Sequence, residues 1–111
     1  MNILKPQKLE ISKLRKIEDL NKEVKENAEL EKIYLENYIE ENEEYTDIRI
    51  EKTVIKNTEI INSKLQYSTF TDIEFNNCNF SNTSFENSSF IRCAFNNCKL
   101  TGCNLTETRI Y

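Results

Sequence analysis

The 111-residue chain has no histidine and no tryptophan, and only one glycine, one proline and one methionine. So little glycine and proline excludes collagen-like and flexible-linker classes. Without histidine, an imidazole base and the His-containing zinc sites are excluded as well. No window approaches the roughly twenty apolar residues that cross a bilayer, and the start, MNILKPQKLE, lacks the apolar stretch of a secretion signal. The expected address is the cytoplasm, where the four cysteines would be reduced thiols rather than a disulfide framework. Heavy use of Asn, Ile, Lys and Glu hints at an AT-rich bacterial genome. Hydrophobic content is 38%, set against six Phe and five Tyr, so the core of at most one compact domain must be concentrated.

Charge divides the chain near residue 45. Residues 1–45 hold 8 basic and 12 acidic side chains, whereas 46–111 hold 7 of each. The acidity is densest at Glu36, Glu40, Glu41, Glu43, Glu44 and Asp47, which reads as a solvated rim around a helix end. From Ser12 to about Asn42 there is no Gly or Pro, and Leu14, Ile17, Asn21, Val24, Ala28, Leu35 and Tyr38 recur at three- and four-residue steps. That spacing predicts an amphipathic helix, or two with a break near Asn27, docked on its own domain rather than a coiled coil. Ile3-Leu4-Lys5-Pro6 reads as an edge strand or extended arm.

An internal repeat has a period of five. Ile50, Ile55, Ile60, Leu65, Phe70, Phe75, Phe80, Phe85, Phe90, Phe95, Leu100, Leu105 and Ile110 are all large and apolar. Two residues before each of these thirteen centres stands Ser, Thr or Cys in eleven cases. Two residues after, Asn recurs at 57, 62, 77, 82, 87 and 97, with Gly102 in the same slot. Strand alternation puts residues separated by one on the same side, so the small and the large residue both face inward. The next two positions must turn the chain, and Asn and Gly tolerate turn dihedrals best. Neither a 3.6-residue helix nor a plain strand buries every fifth residue; a solenoid with pentapeptide sides does.

The motifs Cys-Asn-Phe-Ser-Asn (78–82), Thr-Ser-Phe-Glu-Asn (83–87), Ser-Ser-Phe-Ile-Arg (88–92), Cys-Ala-Phe-Asn-Asn (93–97) and Cys-Lys-Leu-Thr-Gly (98–102) carry a family likeness. Over residues 46–111 the chain resembles the pentapeptide-repeat proteins. The resemblance implies a mainly β fold: a right-handed quadrilateral β-helix of four pentapeptides per coil, here about three coils, preceded by the helical cap of residues 1–45. It also implies stacked columns twenty residues apart: Ile50/Phe70/Phe90/Ile110, Ile55/Phe75/Phe95, Ile60/Phe80/Leu100 and Leu65/Phe85/Leu105. Acidic members of the family mimic duplex DNA, inhibit DNA gyrase and protect it from quinolones. This chain departs from that pattern in having a neutral repeat region and few coils.

Candidate chemistry is sparse. Cys78, Cys93, Cys98 and Cys103 share the small inward slot at spacings of multiples of five, not the two to four of zinc knuckles, and read as packed thiols. Cys78 and Cys98 should lie one above the other. The Ser and Thr residues are explained by register, no two carboxylates are forced together, and Gly102 stands alone, so neither catalysis nor a cofactor is expected. The acidic chain argues against direct nucleic-acid binding. Ile91 and Tyr111, both outward on one side, form a possible contact patch.

A solenoid must cover its ends. The helical segment is expected to dock near Ile48 to Leu65, and the C-terminal coil to associate with a second copy or to continue in a longer repeat chain. The reading overall is a non-catalytic protein-interaction scaffold with a protein partner, no membrane, and gyrase binding as the alternative.

Overall fold

The computed structural model describes residues 8–111, so the arm expected at Ile3–Pro6 lies outside the described residues. After a single 3-10 turn at Ile11–Lys13 come β1 (Arg15–Ile17), α1 (Leu20–Glu26), β2 (Glu29–Glu31), β3 (Ile33–Glu36), β4 (Ile39–Glu41) and β5 (Glu44–Thr46). They are followed by β6 (Arg49–Lys56), β7 (Glu59–Ile61), β8 (Lys64–Gln66), β9 (Thr69–Asn76), β10 (Ser89–Ile91), β11 (Ala94–Asn96) and β12 (Arg109–Ile110). Strands pair in parallel with the strand one turn later. Leu30 lies beside Ile50, Ile50 beside Phe70, Phe70 beside Phe90 and Phe90 beside Ile110. The register is twenty residues, four five-residue units, and the expected columns form.

Backbone geometry repeats with the same strictness. Every fifth residue from Lys32 to Glu107 has positive φ: fifteen non-glycine residues between 50° and 60°, and Gly102 at 74°. Eight of these corners are Asn, which tolerates this region better than most residues. Each corner reverses the pleat, so the two inward residues of each unit return to the interior.

Inside, the rings are ordered in two ways. Between turns they stack, Phe70 on Phe90 at 5.0 Å and Phe75 on Phe95 at 4.8 Å. Within a turn they meet edge to face, Phe75 with Phe80 and Phe80 with Phe85 at 5.3 and 5.6 Å. Each such pair adds about 0.5–1.5 kcal/mol beyond its buried area. The small slot then closes the polar accounts. Thr83 Oγ1, Ser88 Oγ and Thr108 Oγ1 donate to the carbonyls of Ile60, Leu65 and Phe85, each twenty-three residues back, at 2.8, 2.6 and 2.7 Å. A buried hydroxyl needs a partner, and in this slot the turn below supplies it.

Four expectations are corrected. The coil count is about five rather than three. The helix expected across residues 12–42 is confined to Leu20–Glu26, ending with Asn27 as its C-cap. Residues 29–46 form β2 to β5 and pair with β6, β7 and β8 across the boundary expected at residue 45. Leu, Glu and Lys favour helix locally, but burial of Leu30, Ile33 and Leu35 against the next turn outweighs that preference. Finally, α1 does not sit on Ile48 to Leu65. It covers the turn below, where Leu20 is buried and Asn21 bonds to Tyr38 and Tyr45.

Candidate functional site

The four cysteines occupy the small inward slot. Cys78 is buried; Cys93, Cys98 and Cys103 are half-buried. Their thiols donate to the carbonyls of Ile55, Phe70, Phe75 and Phe80, at 3.4, 3.3, 3.2 and 3.0 Å, the acceptor position used by Thr83 and Ser88. Burial pushes the Cys78 thiol up to about 12 and Cys93 to about 11, and raises Cys103 as well. Thiolate formation is thereby suppressed. The pairing of Asn79 with Lys99 sets Cys78 and Cys98 side by side, as the twenty-residue turn requires. Among the described residues no group of three His, Cys, Asp or Glu side chains converges in a way that could hold a metal ion.

The outward positions differ from turn to turn. The first full turn, residues 29–48, carries eight acidic side chains and one basic, a net charge of −7. Glu29, Glu31, Glu41, Glu44 and Asp47 are exposed, and Glu36 and Glu43 half-buried. The acidic rim foreseen in the sequence is therefore a band around the first solenoid turn rather than a helix end. One member departs from it: Glu40, at 6% exposure, fills a core centre. Because this turn belongs to the solenoid, residues 29–111 hold 8 basic and 14 acidic side chains, a net charge of −6. The repeat region is acidic, not neutral, and its charge is banded at one end.

Later turns balance their charges: residues 49–68 hold four basic and two acidic side chains, and residues 69–111 three basic and four acidic. Asn57, Asn77 and Asn97 form a side-chain ladder, with amide-to-carbonyl bonds of 2.8 and 3.1 Å, beside a second rung from Asn96 to Asn76 at 2.8 Å. Nearby, the corner residues Asp72 and Arg92 pair through two bonds of 2.7 and 2.9 Å. Ile91 and Tyr111 are adjacent on one outer side, the first half-buried and the second 54% exposed. At the last turn Leu100, Leu105 and Ile110 are 40%, 43% and 67% exposed.

The first-turn positions escaped the sequence reading, and one signal marks them. Asn37, Asn42 and Asp47 stand five apart, in register with Asn57 and Asn62. Extending the grid back through them puts Leu30, Leu35, Glu40 and Tyr45 at the centres.

Residues 65–109 match the family model for pentapeptide repeats, in nine copies. Residues 65–109 belong to the pentapeptide-repeat family. The pentapeptide-repeat protein Rfr23 from the cyanobacterium Cyanothece 51142, whose crystal structure is known, is similar at 16% identity with a TM-score of 0.42. The alignment covers 75% of this chain and 64% of Rfr23, so the chain spans less than two thirds of that protein. Comparison with curated proteins gives no match. Among the described residues no helix is long and apolar enough to cross a membrane.

Proposed function

We propose that the chain is a non-catalytic scaffold that presents the outer faces of its repeats to a protein partner in the bacterial cytoplasm. The winding is taken to be right-handed, as the family resemblance implies, and four-sided, in keeping with four five-residue units per turn. The observation that carries the reading is the contrast between inside and outside. Centres and small slots are committed to packing and polar satisfaction, which leaves the outward residues and the exposed corner side chains as the ones a partner can read. In the first turn these are acidic, so the partner face it fits is basic. The exposed Leu100, Leu105 and Ile110 support self-association through the last turn.

Gyrase binding by duplex mimicry stays as the second reading, favoured by the −6 charge and about five turns. Charge concentrated in one turn fits a local basic patch better than an extended DNA-binding groove. Affinity capture from a bacterial lysate, using the intact chain and a triple variant Glu41→Gln, Glu44→Gln, Asp47→Asn, tests the first reading. The expected result is a partner retained by the first and lost by the second. Identical capture by both overturns the acidic-face assignment, and inhibition of purified gyrase in a supercoiling assay establishes the second reading.

A further inference from the structure

Under α1 lies a buried polar cluster that the repeat pattern does not call for. Glu40 occupies a centre slot, in register with Ile60 of β7, where the later turns carry Phe80 and Leu100. Its Oε1 accepts from the Tyr38 and Tyr45 hydroxyls at 2.6 and 2.5 Å. Its Oε2 is buried without a hydrogen-bond partner. Both tyrosines are tied to the helix end: Asn21 Nδ2 donates to the Tyr45 hydroxyl at 2.9 Å, and Asn21 N–H to the Tyr38 hydroxyl at 3.2 Å. Asp19, the N-cap of α1, lies 3.2 Å from that same Tyr38 hydroxyl.

We infer that the N-terminal cap is operated by a proton: α1 is latched on the first turn while Glu40 is neutral, and loosens when Glu40 ionises. A neutral carboxyl accepts from both tyrosines through Oε1 and leaves an uncharged O–H at Oε2, a smaller cost than a buried charge. An anion would place charge on a buried Oε2 that no donor among the described residues reaches. The hydrogen bonds from the Tyr38 and Tyr45 hydroxyls favour the anion, but burial outweighs them, and the remaining groups facing Glu40 add to burial. Tyr38 and Tyr45 are held neutral by burial, Ile60 above is apolar, and the two charges that bear on Glu40, Glu43 and Asp19, are negative. Burial, the largest cause, lifts the Glu40 carboxyl above its ordinary value. Admitting water to Oε2 requires α1 or the chain around Asn21 to move, which uncovers the outer edges of β4 and β5.

The sign follows from linkage. A carboxyl whose value is raised in the capped state favours capping below its ordinary value of 4.5 and loses that advantage as pH rises through the raised one. Hydrogen exchange of the intact chain between pH 4 and 8, corrected for intrinsic rates, reads it out, alongside carbon-13 NMR titration of the Glu40 carboxyl. In the wild type, protection of residues 15–27 is expected to fall by up to about tenfold per pH unit above the ordinary carboxylate range. It then levels off where Glu40 titrates, while β9 is unchanged. Glu40→Gln, which cannot ionise, is expected to give a flat profile, and Glu43→Gln to keep the slope. A Glu40 carboxyl titrating at or below its ordinary value overturns the inference, and this reading needs no variant to fold. So does level protection in the wild type, or an unchanged slope in Glu40→Gln.

Discussion

Phe70 and Phe90, twenty residues apart, stack with ring centroids 5.0 Å apart and planes 17° from parallel. Their spacing matches the strand repeat of about 4.8 Å, so the rings ride on the backbone ladder. Phe80 sits between two edge-on neighbours at 1% exposure. Phe80→Ala should therefore cost about 3–5 kcal/mol, the range for deleting a buried ring. Phe85→Asp, which places an unpaired charge in the same core, should abolish the cooperative melting transition altogether. Both are read by circular dichroism melts, and a native melting curve for Phe85→Asp would contradict the packing.

The corners give a prediction in the opposite direction. Tyr67 holds φ at 55° while 59% exposed, so its side chain gains little from burial to offset the left-handed backbone. Tyr67→Gly is expected to stabilise the protein by roughly 0.5–1 kcal/mol, because the strain removed exceeds the chain entropy added. At Gly102 the reverse holds. A Cβ there would lie 2.2 Å from Asn82 Oδ1, and φ is already 74°. Gly102→Ala should lower the melting temperature.

Asp72 and Arg92 bridge two successive turns at a corner, and Asp72 is 3% exposed. Removing the guanidinium with Arg92→Met is expected to lower the unfolding midpoint, because it strips the buried Asp72 carboxylate of two charge-assisted hydrogen bonds. Arg92→Lys should recover only part of this, since an ammonium cannot reproduce the two-pronged geometry. Denaturant titration of the three proteins checks the order.

Thiol reactivity follows the core. Cys78, raised to about 12, and Cys93, raised to about 11, are expected to resist alkylation by iodoacetamide at pH 8 in the folded protein. All four cysteines should react at similar rates in 6 M guanidinium. Mass spectrometry of the labelled peptides gives the comparison, and fast labelling of Cys78 in the native state would contradict its placement.

The solenoid was legible from Ile50 onward because its centres, small slots and turn residues each draw on a narrow set of side chains. Asn57, Asn77 and Asn97 mark corners in the sequence and lie at corners in the structure, with φ of 50°, 57° and 56°. The first turn was hidden because its slots are filled differently. Its small positions are Ala28, Ile33, Tyr38 and Glu43, with no Ser, Thr or Cys among them, and its centres include Glu40 and Tyr45. Glu40 is tolerated in the core only because two tyrosines reach it, a tertiary relationship that no local pattern displays. The run of Glu, Lys and Leu favours helix by propensity, a weak preference that long-range pairing overrides. The same misreading moved the charge boundary. Acidity assigned to a cap belongs to the first turn of the solenoid itself.

One continuous ladder from residue 28 onward is the claim on which the rest stands, and scalar couplings across hydrogen bonds read it directly by NMR. The ladder requires couplings from the amide nitrogens of Arg49, Glu59, Lys64 and Thr69 to the carbonyl carbons of Ala28, Tyr38, Glu43 and Ile48, where the N···O distances are 2.8–2.9 Å. Each partner lies twenty-one residues back. Couplings four residues back across 29–46 would instead put that segment in a helix and contradict the account.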